Sequence, residues 1–181
     1  MEGEEMRTCV LDIETTGLKS DFGRVICGVI KEYGTRREAV SYVPKNYLDD
    51  SKCLLKIRDR LNQFDIVVTH YGKGFDIPFL NSRLFQNGEE RVKKMFHVDT
   101  YYIAKHKLKT QSRKSLKSLG DTLQLGEQKM GVPRWVWNGA RDGSRECIEK
   151  LVDRCVSDVL MTEELYTKML VSGLIDTVSK Y

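Results

Sequence analysis

The sequence predicts an α/β sandwich: a mixed sheet, an antiparallel meander plus parallel strands, flanked by helices. Three observations predict it. Apolar, β-branched runs at 6–13, 24–33 (RVICGVIKEY) and 37–43 (REAVSYV) follow one another across short turns, as the strands of a meander do. Leu54, Leu55, Ile57, Leu61 and Phe64 then recur with helical spacing. Residues 65–70 (DIVVTH) come next, a short and nearly continuous apolar strand of the kind buried on both faces.

The elements follow in order. The first strand ends in Thr15-Thr16-Gly17, where glycine permits a turn, and Gly34-Thr35 turns the second strand into the third. Asp49-Asp50-Ser51 offers a cap to the first helix. Gly72-Lys73-Gly74 breaks the chain, and Phe75-Asp76-Ile77-Pro78 opens a helix to about Gln86. Pro78 suits a first turn, Asp76 sits at or near the cap, and Asn87-Gly88 closes the helix. Residues 94–98 form a brief strand ending at Asp99, followed by helical pieces at 100–104 and 116–125. Residues 126–143, which carry both tryptophans, read as irregular, with Trp135-Val136-Trp137 either stacking bases or burying a loop. A long helix over 145–171 completes the chain, without a capping box because Cys147 stands where Glu or Gln is needed.

The 181 residues suffice for a single domain, 1–181, that buries about 70% of its unfolded surface. No apolar run approaches membrane-spanning length, and the acidic start (Glu2, Glu4, Glu5) is wrong for a signal or transit peptide, so the expected location is cytoplasmic. Five cysteines, odd in number and without a close pair, disfavour a disulfide framework and a zinc knuckle. The net charge of +4 is modest, but its placement is uneven. Between Asp99 and Asp121 there is no acid, while Lys105, Lys107, Lys109, Arg113, Lys114 and Lys117 fall in that gap. Such a stretch is either a solvated loop and helix face or a surface that tracks phosphates.

The chemistry is concentrated in Val10-Leu11-Asp12-Ile13-Glu14-Thr15-Thr16-Gly17-Leu18. Strand side chains alternate, so Asp12 and Glu14 share one face while Leu11 and Ile13 enter the opposite layer. Two carboxylates on one face of a buried strand repel each other and lose hydration, which a divalent cation would offset; hard oxygen ligands suit Mg2+ or Mn2+ rather than zinc. The alternative is a strand end whose acids face water. Asp76, at its helix start, and Asp158, flanked by Val156, Val159 and Leu160, are two more acids beside apolar neighbours. Four converging carboxylates are the number needed for two metals.

Three blocks in this order resemble the DEDD superfamily of 3′–5′ exonucleases, which have the ribonuclease H-like fold. The closest branch is that of predicted exonucleases related to family B polymerase proofreading domains. Residues 10–18 are similar to the first motif and supply Asp12 and Glu14; residues 68–80 (VTHYGKGFDIPFL) resemble the second and supply Asp76; residues 154–166 (RCVSDVLMTEELY) resemble the third and supply Asp158. The resemblance implies hydrolysis of phosphodiester bonds from single-stranded DNA or RNA 3′ ends by two divalent cations, Mg2+ or Mn2+. One cation activates the attacking water and the other stabilises the leaving oxygen. In family terms Asp12 bridges the ions, Glu14 and Asp158 complete the nucleophile side, and Asp76 acts at the second metal. Thr15 and Gly17 would offer backbone contacts to the terminal nucleotide, and Leu18 and Phe75 would stack on its base, with core packing the alternative for Phe75. Lys107, Arg113 and Lys114 would follow the backbone.

The sequence departs from the family at informative positions. Arg154 stands where the polymerase-related branch has a tyrosine, Asp153 where the other branch has a histidine, and Tyr71 where asparagine is common. On a helix Arg154 lies one turn from Asp158, so it either pairs with that acid or meets the scissile phosphate. The alternatives to an active exonuclease are a nuclease-like module that grips an end without cutting it and a proofreading partner of a separate polymerase or helicase.

Overall fold

The structure is a computed structural model that describes residues 6–109, 113–128 and 130–175, so the acidic start at Glu2, Glu4 and Glu5 lies outside it. Strands β1 (Thr8–Thr15), β2 (Val25–Glu32), β3 (Val40–Tyr42), β4 (Ile66–Thr69) and β5 (Phe96–Asp99) form one sheet in the order β3-β2-β1-β4-β5. The β1–β2 and β2–β3 pairs are antiparallel, whereas β4 joins β1, and β5 joins β4, in parallel. The connections 16–24 and 33–39 are shorter than the dozen or so residues a crossover needs, so the meander is antiparallel; the parallel strands enter after helix α1 (Ser51–Leu61) has carried the chain across the sheet. The remaining helices are α2 (Asp76–Gln86), α3 (Thr100–Lys107), α4 (Leu116–Leu123), α5 (Arg134–Arg141) and α6 (Arg145–Val171).

Alternation along β1 divides the core. Cys9, Leu11 and Ile13 pack with Leu54, Ile57 and Leu61 of α1 and Phe79, Leu80 and Leu84 of α2. Val10 faces the other way and joins Cys27, Val29 and Val68 against Cys155 and Val159 of α6. Each such side chain removed from water contributes about 2 kcal/mol, which fixes the register of β1 because a one-residue slip would exchange the two sets. Asp12 and Glu14 share parity with Val10, so the same packing turns both acids toward α6.

Three local expectations are corrected. Only Val40–Tyr42 of the 37–43 run pairs with β2, as a short edge strand whose preceding Arg36, Arg37 and Glu38 are exposed. Asp50 holds the N-cap position of α1, but it is Asp49 whose carboxylate accepts from the Ser51 N–H, at 3.0 Å; the buried Asp50 carboxylate accepts instead from the Val25 N–H at 2.8 Å and from Arg83 at 2.6 Å, tying β2 to α2. Residues 134–141 are helical rather than irregular, with Val136 and Ala140, four apart, buried against Cys147 and Leu151 of α6. Ser144 caps helix α6, its hydroxyl accepting from the Cys147 N–H; no return carboxylate is needed for that half of the motif.

Candidate active site

Helix α6 presents Arg154, Cys155 and Asp158 toward the acids of β1. Asp158 is one turn beyond Arg154, and both fall beside the buried stripe of Leu151, Cys155, Val159 and Thr162. One carboxylate oxygen from each of Asp12, Glu14 and Asp158 lies within 4.8 Å of the others. The donor set is all hard oxygen on two elements of fixed geometry, β1 and α6, which fits a divalent cation of the magnesium or manganese type. Burial first, then the charges of Asp76, Glu14 and Asp158, push the Asp12 carboxyl well above the usual range, while the Cys155 thiol, donating to its Oδ2 at 3.1 Å, pulls the other way. A carboxyl so destabilised as an anion is one that a cation would ionise.

Asp76 enters from the opposite layer. It occupies the first turn of α2, not the cap, and its Oδ1 accepts from the Ile13 N–H at 3.0 Å, so the second motif is stitched to the strand between Asp12 and Glu14. Burial raises its pKa to about 7, against the help of its backbone hydrogen bonds and with Asp99 and Glu14 adding repulsion. It stands beside the three-carboxylate group rather than within it. A β-bulge between Glu14 and Thr15 ends regular pairing at this point and re-aims the strand end.

Arg154 lies among the acids. Its Nε donates to Glu14 Oε1 at 2.6 Å, its Nη1 to the Met130 carbonyl at 2.6 Å, and its Nη2 is 3.4 Å from Asp158 Oδ2. The guanidinium also lies over the Trp137 ring, 5.3 Å from its centroid. Burial alone would weaken its charge, but Glu14 and Asp158 more than offset that. At the position where the polymerase-related branch has a tyrosine, this chain carries a fixed positive charge that holds two of the three carboxylates.

The family model for the RNase_H superfamily matches residues 9–170. The chain belongs to the RNase_H superfamily. A solved family B DNA polymerase from the hyperthermophilic archaeon Pyrobaculum calidifontis has the same fold, with a TM-score of 0.75 and 19% sequence identity. The likeness covers 93% of this chain and 25% of the polymerase, so the chain spans about a quarter of that protein's length. No curated protein sequence matches it. Among the described residues, no helix is long and apolar enough to cross a membrane.

In this RNase_H-superfamily chain the other expected contact residues divide into two groups. Thr15, Gly17, Leu18 and Phe75 all line one cavity of about 570 Å3 beside Glu14. The Thr15 hydroxyl is committed to the Gly17 carbonyl at 2.8 Å, and a Cβ at Gly17 would meet nothing within 4 Å, so no steric demand explains that glycine. Phe75 packs on Phe79 and also borders the cavity. Lys107, Arg113 and Lys114 do not line it. The Lys107 ammonium donates to the Leu174 carbonyl at 2.7 Å, and the Lys114 carbonyl is hydrogen-bonded to His70. His70 and His97 are likewise engaged, with Thr100 and Thr69, and burial lowers the His97 pKa to about 4.

Sequence patterning overlooked two features. Asp99 is an organiser: its carboxylate accepts from the N–H groups of Tyr71, Lys73, Tyr101 and Tyr102, holding Tyr71 at a φ of 71° in the loop before Asp76. Only "strand end followed by helix" hinted at this. The second feature is α5, whose Arg134, Trp137, Asn138 and Arg141 line the same cavity as Glu14. Their spacing of three, four and seven after Pro133 was the available signal.

Proposed function

We propose that the chain, as one domain over 1–181, is a metal-dependent 3′–5′ exonuclease acting on single-stranded nucleic-acid ends. The observation that carries this is the convergence of Asp12, Glu14 and Asp158 oxygens within 4.8 Å, with Asp76 bonded to the strand between the first two. Asp12, Glu14 and Asp158 would hold one divalent cation, Mg2+ or Mn2+, and Asp76 would serve a second beside them. Bound there, such cations supply an activated water and neutralise charge developing on the phosphate and leaving oxygen. The protein's own part is positioning. Ile13 N–H and the Cys155 thiol orient Asp76 and Asp12, Thr15 and Gly17 present backbone to the terminal nucleotide, and Leu18 and Phe75 bound the space for its base. Arg154 cannot take up a proton from water, since it stays protonated at neutral pH. Its charge holds Glu14 and Asp158 in place and faces the region a phosphate would enter.

The test is shortening of 5′-labelled DNA and RNA oligonucleotides in Mg2+ and in Mn2+. Wild type should produce a ladder from the 3′ end, and Asp12→Ala should abolish it. Failure of wild type to shorten either polymer under either metal refutes the proposal. The Arg154 ion pairs favour a second reading, in which the fold grips an end without cutting because two of its ligands are already matched by a guanidinium. Binding that persists in chelator, with no product in metal, would select it.

A further inference from the structure

The cavity beside Glu14 does not end at the motif. It shares Thr16, Gly17, Leu18 and Arg141 with a second cavity of about 800 Å3 that runs on to Lys19, Phe22 and Tyr47. One wall of the first is a single face of α5. Arg134, Trp137, Asn138 and Arg141 repeat at the interval of one helical turn, while Val136 and Ala140 on the other face are buried against α6. Arg134 and Arg141 are exposed, and neither forms an ion pair among the described residues. They are seven residues apart, about 10 Å along the helix axis, too far for one phosphate and suited to two. Across from them Leu18 is 85% exposed and Phe22 89% exposed, large apolar side chains left in water along the continuation of the groove.

Resting on the nuclease proposal, we infer that a single strand of nucleic acid lies in this groove, its phosphates on Arg134 and Arg141 and its bases against Leu18, Phe22 and Tyr47. Unpaired guanidinium groups alternating with exposed apolar and aromatic surface are the combination that binds single strands without reading sequence, because every base has an apolar face and every linkage a charge. Other anions would satisfy the arginines but not the uncovered side chains. Asp142 is the acid on the second wall, opposed there by Lys19, Arg24 and Arg141. Trp137 links the groove to the chemistry, since it borders the cavity and carries the Arg154 guanidinium on its ring. The basic stretch around α3 and α4 is the rival path. Part of its charge is spent internally, Lys107 on the Leu174 carbonyl and Lys117 on Asp121.

The experiment is fluorescence anisotropy of a 5′-labelled eight-residue thymidine oligonucleotide in EDTA, titrated with wild type, Arg134→Gln/Arg141→Gln and Lys93→Gln/Lys94→Gln. The last pair removes the same charge from the exposed residues before β5, at the far end of the sheet from Asp99. The α5 variant should bind at least about tenfold more weakly, and its log–log salt slope should be shallower by about 1.4, that is about 0.7 for each lost phosphate contact. The Lys93/Lys94 variant should stay within about twofold of wild type, because its charges lie off the path. An α5 variant with wild-type affinity and slope overturns the inference, whatever the control does. Because this titration is run without metal, failure of wild type to cut in the separate Mg2+ and Mn2+ assay would sink the nuclease proposal without altering this result, so the two fail separately. Far-UV circular dichroism confirms that the exposed substitutions leave the fold intact.

Discussion

Replacing Arg154 by alanine removes the guanidinium that bridges Glu14 and Asp158. The pairs measure 2.6 Å and 3.4 Å, and the three side chains are 14%, 13% and 5% exposed. Losing one partner of a buried ion pair costs about 3–5 kcal/mol, against at most about 1 kcal/mol for an exposed pair. Residual exposure of Arg154 and Glu14 places the expected loss near the lower end, about 3 kcal/mol, or about 6–12 °C in Tm for a chain of this length. The loss should be conditional. In EDTA the variant lacks the guanidinium charge that paired Glu14 and Asp158, whereas Mn2+ at a hundred times its Kd restores about 2.7 kcal/mol. Wild type should gain less from Mn2+, because the cation competes with a charge already seated. Thermal unfolding followed by circular dichroism, with and without Mn2+, reads both quantities. If the variant melts within about 2 °C of wild type in EDTA, or if Mn2+ raises the two equally, Arg154 is not the counter-charge of this cluster.

Two further tests address pH and the scaffold. The Asp76 pKa is raised from 3.8 to about 7, so between those values the folded chain binds more protons than the unfolded chain, and metal-free stability falls as pH rises. His97 acts oppositely between about 4 and 6.5, but equally in both proteins of a comparison. Asp76→Asn retains an acceptor for the Ile13 N–H and cannot ionise; its Tm in EDTA should therefore gain on wild type steadily from pH 4 toward pH 7, and parallel curves would contradict the assignment. Asp50→Ala should cost about 3 kcal/mol, because it leaves Arg83 and the Val25 N–H without their buried acceptor. Urea unfolding with an unchanged m-value checks this; a loss under about 1 kcal/mol would mean the pair is solvated.

The parts of this structure that alternate or repeat were open to a reader of the sequence. Parity along β1 put Asp12 and Glu14 on one face and Leu11 and Ile13 on the other, and apolar spacing fixed α6 at both ends. Parts set by contacts distant in sequence were not. Asp50 looks like any helix cap until Arg83, 33 residues later, reaches it. Asp99 looks like a strand end until four N–H groups, two from the loop before α2 and two from the first turn of α3, converge on it. Helix α5 was hidden by Gly131, Pro133, Gly139 and Gly143, which read as loop punctuation although Pro133 precedes the first turn and Gly143, at a φ of 87°, follows the last. Of the contact residues expected from the sequence, those contiguous with the first motif line the cavity with Phe75, whereas Lys107, Arg113 and Lys114, read from a charge count, do not, and the Lys107 ammonium is bonded to the Leu174 carbonyl.

The most direct measurement is anomalous diffraction from crystals soaked in Mn2+. The expected map has a peak about 2 Å from oxygens of Asp12, Glu14 and Asp158, with the Arg154 guanidinium displaced toward Trp137. A map in which manganese is absent from those three carboxylates, with Arg154 still on Glu14, would contradict the metal-dependent nuclease.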